Sequence, residues 1–170
     1  LTDTAGKRAY SPDGASFLSA ADRYFGRPYI GGVVVNLPRI ACLSRGDDEV
    51  FQTELENSLG LALEALEVRH AALYERIRGK LLPYLFEGDG EAPCRFEESA
   101  MAVGFVGLDE ATALQTGEHV HEGRGPRSFA ERCLDSMARL VSDRGKQSGE
   151  QVYLTQITSA ESAERLASLD

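Results

Sequence analysis

Apolar positions along the chain alternate between short runs and helical stripes, and they predict the order strand, long helix, strand, helix, helix, strand, helix. The first run is Gly31-Gly32-Val33-Val34-Val35-Asn36-Leu37-Pro38-Arg39-Ile40-Ala41. Three β-branched residues behind a glycine pair read as a short strand buried on both faces. Asn36 ends the run and Pro38 cannot donate to a sheet ladder, so Arg39 is expected just past the strand's end. From about Val50 to Leu82 one stripe, including Phe51, Leu55, Leu59, Leu66, Leu73, Ile77 and Leu81, keeps near a helical period, and Pro83 stops it. Acidic residues at its start and Arg76, Arg78 and Lys80 near its end complement the helix dipole.

The remaining segments are shorter. Leu1 to Pro28 reads mostly as loop, with one helical turn at Phe17 to Phe25 and Arg23-Tyr24-Phe25-Gly26-Arg27 as a loop anchored by two rings. Phe86 to Ser99 is a further loop, and Ala100 to Val106 is small and apolar enough for a second buried strand. Asp109 and Glu110 open a short helix through Leu114, and Gly117 to Arg127 is a loop holding His119 and His121. An H-x-H pair binds metal well on a strand, but a loop leaves it flexible, so no metal site is assigned. Ser128-Phe129-Ala130-Glu131 is a capping box ahead of Cys133, Met137, Leu140 and Val141 at helical intervals, with Gly145 closing that helix. Gln151 to Ile157 is the third strand, and Thr158-Ser159-Ala160-Glu161 is a second capping box that starts a last helix.

Strands separated by helices imply an α/β fold with mainly parallel strands and right-handed crossovers. Three strands cannot close a barrel, so both sheet edges should be open. A length of 170 residues suits a single segment of one domain, with 1–28 mostly loop and 29–170 α/β. The formal charge of −9 excludes a broad nucleic-acid surface but not a local triphosphate site. No apolar run approaches membrane-spanning length, and no signal-peptide pattern opens the chain. Cys42, Cys94 and Cys133 are odd in number and lack C-x-x-C spacing, which reads as a reducing, cytoplasmic chain without disulfides or a zinc cluster. A start at Leu1 and an end at Asp170 without turn or tail signals read as an internal excerpt.

As a string, G-V-V-V-N-L-P-R-I-A resembles the Asn-Leu-Pro-Arg-Ile segment of the anaerobic ribonucleoside-triphosphate reductase large subunit, a glycyl-radical enzyme. Leu82-Pro83-Tyr84-Leu85, Gly104-Phe105-Val106-Gly107-Leu108-Asp109-Glu110, Gly117-Glu118-His119-Val120 and Tyr153-Leu154 ahead of Thr158-Ser159-Ala160-Glu161 follow in the family's order. The resemblance implies an arc of a ten-stranded α/β barrel. It also implies radical replacement of a ribose 2′-OH by hydrogen, with ribonucleoside triphosphates as substrates.

By that resemblance Thr158, Ser159, Ala160, Glu161 and Ser162 cradle the substrate's phosphates, a role that suits the free N–H groups of a helix start. Proline is usual in the family where Ser159 stands. Tyr29, Asn36 and Arg39 become pocket wall. Tyr29 lies about where the formate-oxidising branch carries Asn, which implies a thioredoxin-type reductant instead. The radical Cys and Gly are expected outside this segment, so it holds no catalytic residue and no cofactor of its own. The resemblance further implies a glycyl radical installed by an S-adenosylmethionine/iron-sulfur activase, the rest of the reductase chain as partner, and a homodimer. A non-catalytic nucleotide- or phosphate-binding module that has lost the radical parts is the alternative, and a scaffold without ligand is a third.

Overall fold

A three-stranded parallel sheet, ordered β3-β4-β5, carries the fold in the computed structural model, which describes residues 8–10, 16–18, 29–81, 99–156, 164–165 and 168. Two three-residue strands precede it, β1 (Arg8–Tyr10) and β2 (Ser16–Leu18), paired antiparallel. The helical turn expected from Phe17 is therefore corrected at its start, because Phe17 pairs with Ala9 in a strand. The ring-bearing stretch Arg23 to Arg27 lies outside the described residues.

β3 (Tyr29–Asn36) runs directly into a short helix, α1 (Leu37–Ser44). Sequence periodicity gave no hint of α1. The Asn36 carboxamide accepts the Arg39 N–H at 3.2 Å, and Pro38 sits in the first turn, where its missing N–H costs no bond. What reads as the end of a strand is thus also the start of a helix. Arg45 closes α1 in the left-handed region, and the Asp47 carboxylate then caps α2 (Asp48–Arg78) by accepting the Glu49 and Val50 N–H groups. Asp48 and Glu49 occupy its first turn and Arg76 and Arg78 its last, as the dipole favours. The helix stops short of Leu82, and Leu81, assigned to the inward stripe, is exposed beyond its end.

The pattern then repeats. β4 (Ala100–Val106) leads through Gly107 into short α3 (Leu108–Thr116), and a loop leads into long α4 (Arg124–Ser148). The capping box at Ser128 does not start this helix. Gly123 precedes it, Pro126 lies in its first turn, and the Ser128 hydroxyl accepts from Arg132 inside the helix. Nor does Gly145 end it; a Cβ there would lie 3.1 Å from the Glu150 carbonyl oxygen, so its bareness serves the passage of the next strand. β5 (Gln151–Gln156) completes the sheet. Beyond it Glu164 and Arg165 are helical, and Thr158 to Ser162 lie outside the described residues.

Side chains of α2 and α4 pack on one face of the sheet, against Val33, Val35, Met101, Val103, Phe105, Val152 and Leu154. Period-two alternation puts Gly32, Val34, Ala102, Gly104, Tyr153 and Thr155 on the other face. Leu55, Leu59, Leu66 and Met137 are fully buried, and the Phe51 and Phe129 rings meet edge to face at 5.0 Å. The Arg144 guanidinium grips both Glu67 oxygens, at 2.6 and 2.9 Å, and bolts α4 to α2. That hydrogen-bonded cation holds the Glu67 carboxyl below the usual carboxylate range. Among the described residues no helix is long and apolar enough to cross a membrane.

Candidate functional site

In parallel α/β sheets ligands bind outside the carboxyl ends of the strands, where loops and helix starts converge. Three chain segments meet at that end. The register pairs Asn36 with Val106, and Phe105 with Gln156, so all three strands finish within about one residue of each other. α1 starts there with its Asn36 cap. α3 starts there from Gly107, with no side-chain cap of its own. β5 hands the chain on at Gln156, two residues before Thr158.

Gly107 joins the first two of these segments. Its φ of +72° lies in the left-handed region, and a Cβ would fall 2.3 Å from the Pro38 Cγ. The ring of Pro38 therefore lies directly on the elbow between β4 and α3, locking α1 against it.

Asn36 and Arg39 come together, with Asn36 committed to the cap and Arg39 exposed on α1. Both line a groove of about 390 Å³ beside β3, with Leu43, Glu54, Ser58 and Leu61 among its other walls. Tyr29 stands at the opposite end of β3, about 23 Å away along an extended strand. Its hydroxyl lies over Gly32, 2.8 Å from where a Cβ would be. Tyr29 is therefore not gathered with Asn36 and Arg39.

A cluster that sequence reasoning missed sits in the loop after α3. Asp109, in the first turn of α3, accepts the Val120 N–H at 2.9 Å and holds the His119 Nδ1 at 2.8 Å. The His119 N–H donates to Glu122, and the His119 and His121 rings stack at 5.9 Å. The backbone bond from Val120 and the imidazole hold the Asp109 carboxyl below its usual range. The Asp109 carboxylate in turn raises the His119 imidazole above its own. Only a returning loop brings residues ten apart into contact, which is why the G-E-H-V string did not disclose the partner. No group of three His, Cys, Asp or Glu with metal-binding geometry occurs among the described residues.

The sign of the pH dependence follows. His119 contributes fully below its ordinary value of about 6.5 and loses its contribution as pH rises through the raised value; Asp109 contributes above about 3.9 and loses it as pH falls through the lowered value. The loop should be held most firmly between those limits. The protection factor of the Val120 amide, its exchange rate relative to the intrinsic rate at each pH, checks this: it should fall on the alkaline side in the native chain, and Asp109→Asn should flatten its profile.

Comparison with known proteins places this arrangement. A family model described as anaerobic ribonucleoside-triphosphate reductase matches residues 4–170. The chain belongs to this family. It is 29% identical over 157 residues to the anaerobic ribonucleoside-triphosphate reductase of Escherichia coli, covering 85% of this chain and 22% of that one. To the Haemophilus influenzae protein of the same name it is 26% identical over 172 residues, covering 91% and 24%. The solved structure of the anaerobic ribonucleotide reductase from Thermotoga maritima in complex with dATP and CTP superposes with a TM-score of 0.67 at 22% identity, over 87% of this chain and 24% of that one. The chain thus spans about a quarter of the length of such reductases, and its parallel α/β layer is an arc of their barrel.

Proposed function

We propose that this chain is a piece of the catalytic subunit of an anaerobic ribonucleoside-triphosphate reductase, supplying barrel wall and a grip on the substrate's phosphates. Thr158 to Ser162 form that grip, with Asn36 and Arg39 on the neighbouring wall. The supporting observation is the parallel register, which ends β3, β4 and β5 at the same edge of the sheet, with the α1 and α3 starts at that edge and Gln156 two residues before Thr158 in the sequence. Helix starts favour anions there through unpaired N–H groups and the positive dipole end.

The substrate is a ribonucleoside triphosphate in the cytoplasm, and the partners are the rest of the reductase chain, a second copy of it, a radical-SAM activase and a thioredoxin-type reductant. In this reading the radical carrier lies outside this segment, and no role is given to the described cysteines. Cys133 is buried between the helices, where desolvation pushes its thiol up to about 11, and Cys42 is exposed on α1. No radical step is assigned to this segment.

Titrating CTP into the isotopically labelled 170-residue chain tests the proposal. Chemical shifts should move at Thr158–Ser162 and Asn36–Arg39 and stay put elsewhere, while cytidine without phosphates should leave them unmoved. Equal responses to CTP and cytidine, or shifts centred elsewhere, would overturn it.

A further inference from the structure

The helix that carries Arg39, α1, is eight residues long and too short to hold its own place. Its buried residues, Leu37, Ile40, Ala41 and Ser44, recur at helical spacing along one side, and Arg39 is exposed on another. Apolar burial is non-directional, so Leu37, Ile40 and Ala41 seat the helix without fixing its roll. Any roll would carry Arg39 with it. The Pro38 ring on Gly107 pins the front of α1 to α3. One pin fixes a point and not an orientation.

The second pin is polar. The buried Ser44 hydroxyl, in the last residue of α1, lies 2.8 Å from Gln115 Oε1 on α3 and 2.9 Å from the Ala41 carbonyl oxygen. The Gln115 Nε2 donates at 3.3 Å to Asp48 Oδ1, at the start of α2. A carboxylate only accepts, so Asp48 decides which way the Gln115 amide points. That orientation turns an acceptor toward Ser44, and the hydroxyl must donate to it or leave two buried oxygens facing each other. Asp48 Oδ2 in turn accepts from Arg132 on α4 at 3.4 Å, an exposed pair that contributes little by itself. The run Ser44–Gln115–Asp48 therefore ties the tail of α1 to two other helices.

We propose that Gln115 is a positioning residue for the substrate wall: by holding Ser44 it fixes the roll of α1, and with it the place of Arg39. It acts through α1 and touches no substrate itself. The inference rests on the reading of Asn36 and Arg39 as pocket wall, and the experiment separates the two.

Three variants of the 170-residue chain carry the test. Gln115→Leu removes both hydrogen bonds at nearly constant length. Gln115→Glu keeps an acceptor for Ser44 but sets two carboxylates against each other at Asp48. Adding Asp48→Asn to Gln115→Glu rebuilds the run with its polarity reversed: the introduced carboxamide donates to the introduced carboxylate and still accepts from Arg132, while the Asp47 cap of α2 is untouched. Amide exchange at Ala41 to Ser44 should speed up about tenfold in both single variants, more than at Leu55 to Leu66 in α2, and return to within about threefold in the double variant. CTP affinity should fall about tenfold in the single variants and recover in the double one. Unchanged exchange at Ala41 to Ser44 overturns the proposal. So does a loss spread evenly over α1 and α2, or a double variant no better than Gln115→Glu alone. Loosening of α1 with full CTP affinity, in a chain that binds CTP, sinks this proposal and spares the binding one. Absence of phosphate-dependent shifts in the unsubstituted chain sinks the binding proposal alone, and exchange still decides whether Gln115 holds α1.

Discussion

Gly107→Ala should lower the unfolding free energy by about 3 kcal/mol, the sum of a left-handed backbone cost and a steric one. An L-residue held at φ +72° costs about 1–2 kcal/mol, and the new methyl must also displace the Pro38 ring that its Cβ would meet at 2.3 Å. Pro38 is rigid and belongs to the first turn of α1, so relief requires that turn to shift. Gly117 supplies the control, since it has φ +83° but nothing within 4 Å of a Cβ. Gly117→Ala should show the backbone cost alone, about 1–2 kcal/mol. Urea unfolding of both variants measures the difference, and amide exchange at Arg39 reports whether the Asn36 cap loosens only with the first. Equal losses in the two variants would show that the Pro38 contact carries no energy.

Much of this architecture was legible because its elements announce themselves by period. Val33–Val35, Ala100–Val106 and the Gln151 strand are short apolar runs between helical stripes, and each became a strand of one parallel sheet. The elements that were not legible lie where two signals overlap. Asn36-Leu37-Pro38 is both the end of a strand and a helix cap with a first-turn proline, and an eight-residue helix is too short for periodicity to reveal. At Ser128 the capping-box spacing is present, but Gly123 and Pro126 begin the helix a turn earlier. Tyr29 was grouped with Asn36 and Arg39 by resemblance, and the length of β3 between Tyr29 and Asn36 keeps it at the other end of the strand.

The candidate site divides in the same way. Asn36 and Arg39 share a groove because they lie three residues apart across one cap, a local fact that the string contains. Asp109 and His119 meet only because a loop returns along α3, and no spacing rule encodes that return. The roles of Thr158 to Ser162 came from family resemblance, because a capping box alone marks a helix start and says nothing of a phosphate.

The two sides of α2 predict opposite outcomes for one substitution made two residues apart. Leu59→Ala should destabilise the 170-residue chain by about 3 kcal/mol, since Leu59 is 0% exposed and its removal leaves a cavity in the layer between α2, α4 and the sheet. Leu61→Ala should stay within about 0.5 kcal/mol, because at 70% exposure the methyl groups it loses are already in water. Denaturant midpoints at constant slope measure both. Helix propensity treats the two leucines alike, but periodicity separates them, because residues two apart on a helix face opposite sides and the inward stripe contains Leu59 and not Leu61. Burial bears this out, with Leu59 inside the layer and Leu61 in water. A large loss at Leu61 in the 170-residue chain would mean that this side of α2 is already packed, which would contradict its exposure.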